Sequence, residues 1–369
     1  MCKLNLAPSK DFDDFVGLEV HLKDMSSLLC LDSKEVRMVG IWGPSGIGKT
    51  TIARALFARL SRHFHCSVYI DRAFVSKSMA SYSRANPDDY NMKLHLQETF
   101  LSTILGKQNI KIDHLGALGE RLKHQKVLLF IDDLDQQVVL NALAGQIQWF
   151  GSGSRIIVVT NDKHLLISHG IENIYQVCLP SKELALEMLC RYAFRQNTPP
   201  DGFKKLAVEV VRHAGILPLG LNVLGSYLRG RNKRYWMDML PRLRKGLDGK
   251  IQKALRVGYD GLDNKKDEAI FRHIACLFNF EKVNDIRLLL ADSDLNFNIG
   301  LENLVDKSLV NVRSNIVEMH CLLQEMGREI VRAQSNEAGE REFLMDTEDI
   351  CDVLDDNIVS IFMLFYIYN

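Results

Sequence analysis

The sequence predicts a doubly wound parallel α/β sheet over residues 1–180, an all-helical part over 181–250 and a helix-and-hairpin part over 251–345. Three observations carry that prediction. A short apolar run, "VRMVGIW", leads through the glycine loop "GPSGIGKT" into "TTIARALFARLSRHF", where Ile52, Leu56, Leu60 and Phe64 recur at helical spacing. Apolar strand-like runs then alternate with helical stretches up to residue 180, as parallel strands joined by helices require. Beyond that point capped helical stretches take over, until one short alternating pair follows near its end.

Bulk properties narrow the classes. A chain of 369 residues exceeds one simple core and implies several domains. Hydrophobic residues at 47% and charged residues at 25% are ordinary for a globular protein. Lys plus Arg equals Asp plus Glu at 46 each, so a formal net charge of +0 gives no support for bulk nucleic-acid binding. Eight cysteines without a C-x-x-C pair suit a reduced, intracellular chain better than a disulfide scaffold. "MCKLNLAPSKDFDDF" lacks the basic start and apolar core of a secretory signal. No run reaches the roughly 18 apolar residues of a membrane helix, so no membrane span is expected. The apolar end, "IVSIFMLFYIYN", is too short.

Each element of the first part has its own reason. "GPSGIGKT" fits G-x-x-x-x-G-K-[ST] through Gly43, Gly48, Lys49 and Thr50. Across Gly43, Pro44, Ser45, Gly46, Ile47 and Gly48 there is little Cβ bulk, so backbone N–H groups can wrap a phosphate. The helix over Lys49–Leu60, with Thr50 and Thr51 in its first turn, aims its positive end at the anion. Lys49 supplies a mobile charge for the terminal phosphates, and the Thr50 hydroxyl can ligate Mg²⁺. In "KVLLFIDDLD", Lys126 to Asp135, a buried strand exits at Asp132, which becomes the second Mg²⁺ partner, through water. Asp133 is the group placed to orient an attacking water. "GSGSRIIVVTND" reads as loop, strand and polar exit, and Thr160 there is the candidate phosphate sensor. "SVYIDRA" (67–73) and "IYQVCLP" (174–180) read as two more strands, and "MKLHLQETFLSTILG" as an intervening helix. Together these define an α/β P-loop NTPase.

In the helical part, Ser181 caps "SKELALEMLCRYAF", Gly215 stops "FKKLAVEVVRHAG", and Pro218 opens "LPLGLNVLGSYLRG" where proline is tolerated. Next, "KKDEAIFRHIACLF", "VNDIRLLLA" and "NIGLENLVDKS" read as helices, and "LVNVRSNIVEMH" as a β-hairpin turning at Arg313-Ser314-Asn315. With a final helix this makes a winged helix. Its would-be recognition helix, "GLENLVDKS", carries Glu302 and Asp306 against Lys307, which opposes direct DNA contact.

The order of these motifs resembles the NB-ARC nucleotide-switch module of plant NB-LRR immune receptors, the disease-resistance proteins of the class that carries a TIR domain. "DDFVGLEVHL", "GPSGIGKTT", "VLLFIDDLD", "GSGSRIIVVTND", "GILPLGLNVLGSYLRG" and "MHCLLQEMGREIVR" match its motifs in order, from about Asp11 to Asn357. The resemblance implies ADP or ATP as ligand, with Mg²⁺ accompanying ATP. It places Val16, Gly17 and Pro218 on the adenine side and His320 as a latch on the β-phosphate of ADP. It implies an ADP-bound resting state, an ATP-bound active state and at most slow hydrolysis. It further implies cytoplasmic location, with the nucleus as the alternative, and self-association or association with full-length immune receptors.

Two departures stand out. The family's Met-His-Asp reads Met-His-Cys here, so Cys321 replaces a carboxylate that helps lock the resting state. Asn161 stands where related switches carry an arginine that senses the γ-phosphate, and Arg155 lies too far back along its strand to replace it simply. "LRGRNKR" (228–234) reads as a solvated connection, and "HFHC" (63–66) lacks a second ligand pair for a metal. The TIR domain and the leucine-rich repeats of the family are not expected within the chain, so no NAD cleavage is assigned; the tail over 346–369 is expected to stop short of the repeats. Two readings compete with the switch: a working AAA-like ATPase and, third, a winged-helix DNA-binding regulator.

Overall fold

The computed structural model describes residues 15–71, 90–107, 110–134, 136–243, 249–262, 264–307 and 309–345, together with positions 12, 74, 75, 78, 349, 350 and 353. The expectation for the 346–369 tail therefore falls almost wholly outside the described residues. The chain divides into two compact units. One comprises residues 1–188 and 217–219, the other 189–216 and 220–369.

The first unit is built on a five-stranded parallel sheet of order β2-β3-β4-β1-β5. Its strands are β1 (Arg37–Trp42), β2 (Cys66–Ile70), β3 (Val127–Ile131), β4 (Arg155–Thr160) and β5 (Asn173–Gln176). β3 is buried at every position and β4 likewise, because central parallel strands are covered on both faces; β3 is apolar throughout, and β4 is apolar between Arg155 and Thr160 at its ends. β5 is an edge strand, and its outer residues are exposed. Its helices are α1 (Leu18–Leu29), α2 (Lys49–Leu60), α3 (Tyr90–Leu105), α4 (Ala117–Leu122), α5 (Gln137–Ala144) and α6 (Lys163–Ser168). Val68, Ile70, Leu96, Phe100, Leu129, Ile131, Leu140 and Ile156 pack into one core between the sheet and helices α3 to α6. The predicted parallel α/β fold is present, with β1 starting one residue after the predicted run and α2 spanning Lys49–Leu60 as read from the sequence.

Helix α7 (Lys182–Phe194) is capped by Ser181, whose hydroxyl accepts from the Leu184 amide at 3.2 Å. α8 (Lys204–His213) and α9 (Pro218–Leu228) follow, separated by Gly215 and Ile216 at positive φ. α10 (Lys233–Leu243) and α11 (Gly249–Asp260) come next. In the second unit the Trp236 ring, 1% exposed, stacks on Phe194 at 5.1 Å while Phe203 meets both edge-on. The remainder of this unit is the predicted winged helix: α12 (Lys265–His273), α13 (Val283–Leu289), α14 (Phe297–Asp306), the hairpin β6 (Asn311–Arg313) and β7 (Ile316–Glu318), and α15 (Cys321–Arg332). Ser314 and Asn315, both at positive φ, form the two-residue turn that suits the twist of a hairpin. One feature departs from the sequence reading. The helix predicted through "RHIACLF" changes to a π turn over Ile274–Phe278. The Ala275 carbonyl there accepts from Gln324 and Arg328 of α15, which satisfies a group the wider turn frees.

Candidate functional site

The glycine loop joins β1 to α2 at the C-terminal edge of the sheet. Gly46 and Gly48 take φ of 80° and 105°, a backbone that side-chain-bearing residues rarely adopt. A Cβ on Gly48 would meet nothing within 4 Å, so the loop opens into space there. Alternating hand along such a loop turns successive N–H groups toward one point, an arrangement that favours an anion. Lys49 folds over the loop, and its Nζ donates to the Gly43 and Pro44 carbonyls at 2.7 and 3.0 Å. Burial around the ammonium lowers its pKa to about 8, against the opposing pull of Asp133 and Asp132. The charge is therefore retained at neutral pH but poorly solvated, and a phosphate would answer it.

Asp132 sits at the exit of β3, 5% exposed. Its amide bonds the Ile70 carbonyl at 2.8 Å, its Oδ1 accepts from the Thr50 hydroxyl at 3.2 Å, and its Oδ2 accepts from the Tyr69 phenol at 2.6 Å. Burial raises its pKa first of all, and the two hydroxyl donors pull it back. Thr50 and Asp132 are thus brought together, as the motif predicts. The set fits Mg²⁺, which takes one or two protein oxygens and fills its sphere with water and phosphate. Among the described residues no group of three His, Cys, Asp or Glu side chains could hold a metal alone, so phosphate oxygens would complete such a site.

Asp133 adopts a left-handed φ of 58°, and the next residue, Leu134, is tied back to β4. The Thr160 hydroxyl donates to the Leu134 carbonyl at 2.7 Å and accepts from the Asp162 amide at 3.0 Å. In this arrangement it staples the end of β4 to the turn that presents Asp133. The Asn161 carbonyl accepts from the Trp42 indole at 3.2 Å, and the Lys163 ammonium lies 5.2 Å from the Trp42 ring centre.

On the other candidate positions, Gly17, at φ 77°, follows Val16 at the N-cap of α1 and faces Leu184 and Met188 of α7. α1 is held to β5 by the contact between His21 and the Tyr175 hydroxyl at 2.7 Å. Leu217 and Leu219, on either side of Pro218, lie against the glycine loop: the Leu219 amide donates to the Gly46 carbonyl at 3.1 Å. A Cβ on Gly46 would come within 2.9 Å of the Leu219 side chain, so that approach requires glycine. Sequence reasoning missed Tyr69, Leu217 and Leu219. Tyr69 carried a weak signal, a polar tip in an apolar strand; the two leucines carried none.

His320, in the second unit, precedes α15. The amide pair of Asn279 bonds both backbone groups of Met319, at 2.8 and 3.0 Å, and fixes the approach of the chain. The imidazole Nδ1 accepts from the Leu322 amide at 3.2 Å, and Nε2 therefore donates to the Gly215 carbonyl at 2.7 Å. Burial lowers its pKa, while the bond to Gly215 opposes this, so the ring is neutral in its Nε2–H form. The Cys321 side chain lies outside the described ones.

A pH effect follows. With the folded pKa below the ordinary 6.5, the unfolded chain takes up the proton first. Stability is intact above pH 6.5 and falls as pH drops through that value toward the folded pKa. His273, likewise lowered by burial, adds to the loss. His320→Gln should flatten the curve below pH 6.5 by up to about 1.4 kcal/mol per pH unit. Urea unfolding across that range measures it, and an unchanged slope would remove His320 as a contributor.

A parallel sheet with a glycine loop at its edge, a lysine over that loop and a Thr–Asp pair beneath it define a P-loop nucleotide-binding domain. The NB-ARC domain matches residues 19–199, and the winged-helix domain described as disease resistance protein Roq1-like matches residues 264–335. Those matches give the chain an NB-ARC domain followed by a winged-helix domain of the disease-resistance type. It is 67% identical over 355 residues to the disease resistance protein RPS6 of Arabidopsis thaliana, an alignment covering 96% of this chain and 31% of that one. It is 52% identical over 348 residues to the disease resistance protein RPP5 of the same plant, covering 94% and 23%. The chain thus spans under a third of the length of these relatives. Among solved structures, a Walker-type ATPase of Pyrococcus abyssi shares the fold with a TM-score of 0.56 at 18% identity, covering 88% of this chain and 99% of that one. No helix among the described residues is long and apolar enough to cross a membrane.

Proposed function

We propose that this chain is an ADP/ATP-dependent conformational switch acting in plant defence signalling. The observation that carries the reading is the assembled phosphate site: Lys49 over the loop, with Thr50 donating to Asp132 beneath it. ADP is the resting ligand and ATP the activating one. Gly43 to Thr51 bind the phosphates, Val16, Gly17 and Pro218 border the adenine, and Asp133 orients water in a slow resetting hydrolysis. Where Mg²⁺ accompanies ATP, Thr50 and Asp132 hold it, and it neutralises phosphate charge. Thr160 acts on the γ-phosphate side through the Asp133 turn it staples.

His320 is the resting-state latch. Its neutral Nε2–H supports this, because a donor now spent on the Gly215 carbonyl can be transferred to a β-phosphate oxygen. ATP shifts the balance only by its differential affinity for the two states, about 1–3 kcal/mol. Self-association, or association with longer receptors of this family, is the output of the active state, in the cytoplasm or nucleus.

Denaturing the purified protein and identifying the released nucleotide by chromatography tests the reading: ADP in near-equimolar amount is expected, and an empty protein with no affinity for added ADP or ATP overturns it. Phosphate release separates the switch from an AAA-like motor, since many turnovers per minute would favour the motor.

A further inference from the structure

We propose that Tyr69 is a positioning residue that makes nucleotide binding depend on Mg²⁺, by holding the Asp132 carboxylate in the one rotation that serves Thr50. The proposal rests on the nucleotide-site reading above. Its basis is a chain of contacts through one carboxylate. The Tyr69 phenol donates to Oδ2 at 2.6 Å, and Oδ1 accepts from the Thr50 hydroxyl at 3.2 Å. With Oδ2 taken, the carboxylate is a single-oxygen acceptor toward the loop. By giving its proton to Oδ1, Thr50 keeps its oxygen lone pairs for a cation. Removing the phenol frees the carboxylate to rotate, and the Thr50 hydroxyl loses a fixed partner.

The fold holds the phenol as firmly as it holds the loop. Tyr69 pairs with Phe130 in register between β2 and β3, and their rings stack at 5.7 Å with planes 13° apart. Phe57 of α2 meets both rings edge-on, at 5.5 and 5.6 Å. The Arg54 guanidinium lies 5.9 Å from the Tyr69 ring centre, on the same helix as Thr50. The ring is therefore anchored without its hydroxyl, and the hydroxyl, which the Arg54 side chain also meets, donates to Asp132. Partners one step outside a metal's own ligands commonly set its affinity by fixing the ligand's orientation.

The test is Tyr69→Phe, which keeps the ring stack and removes only the hydroxyl. ATP affinity is measured by calorimetry on the full chain in EDTA and in saturating Mg²⁺, beside the melting temperature without nucleotide. The expected result is wild-type affinity in EDTA and an Mg²⁺ enhancement smaller by on the order of tenfold. In an Asp132→Asn background Tyr69→Phe should add nothing. An undiminished enhancement overturns the proposal. So does an equal loss with and without metal, or a variant that fails to fold, since either assigns the hydroxyl to stability. Absence of ATP binding in the wild type would instead sink the nucleotide-site reading, and this proposal with it.

Discussion

Lys49→Ala should abolish measurable nucleotide binding, weakening ADP affinity by about a thousandfold, or roughly 4 kcal/mol. The reason lies in what surrounds the ammonium. It is only partly exposed and leans on two loop carbonyls, which are weak answers to a full charge. Its pKa, pushed down to about 8, records that shortfall. A phosphate supplies the missing negative charge, so much of the binding energy is concentrated in this one pair. Lys49→Arg keeps a charge but replaces a compact ammonium by a wide planar fork, and should still lose most of the affinity. Calorimetric titration with ADP and ATP reads the effect. Stoichiometric nucleotide retained by purified Lys49→Ala protein would remove the phosphate site from the account.

The second large effect is on stability. Arg155, at the start of β4, is fully buried, and every N–H it owns has an acceptor. Nε donates to Leu29, Nη1 to Glu35 and Ser154, and Nη2 to Cys30 and Ser33, all backbone carbonyls between 2.5 and 2.9 Å. Leu29 and Cys30 end α1, where carbonyls have no partner within the helix and where a cation suits the dipole. The guanidinium thus fastens α1 and the following loop to the sheet. Arg155→Ala should destabilise the first unit by about 4–5 kcal/mol, since it removes five hydrogen bonds and a fully buried side chain and leaves the Leu29 carbonyl without its donor, while Ser154 and Cys30 keep the Arg37 and Ser33 amides. Arg155→Lys restores charge and three donors in the wrong geometry, and should recover less than half of the loss. Thermal unfolding of the two variants decides the matter. A cost under about 1 kcal/mol for the alanine would mean that the carbonyls find other partners.

Much of this was legible beforehand. The loop at 43–50 announces itself because its glycines, lysine and threonine are contiguous and its flanks have opposite periods. The hairpin turn was legible in Ser314-Asn315, and α7 in its Ser181 cap, because both are local devices. Arg155 was seen only as a cation too distant to sense a phosphate. A lone charge in an apolar strand says that a partner exists but not which one, and here the partners are backbone oxygens of another element. Thr160 was placed at the right strand end, but its bond to Leu134 needed β3 and β4 to be neighbours. The π turn at 274–278 was illegible because its cause is the packing of α15 beside it.

The sequence by itself determined the strands, the phosphate loop and the Ser181 cap, because each is written in residues a few positions apart, and the order of its motifs carried the NB-ARC resemblance. Only the tertiary structure decided that Tyr69 and Thr50, 63 and 82 positions from Asp132, share its carboxylate, and that Leu219 rests on Gly46. The strand order β2-β3-β4-β1-β5 brings those residues together, and that order is a choice among long-range pairings that no local pattern records.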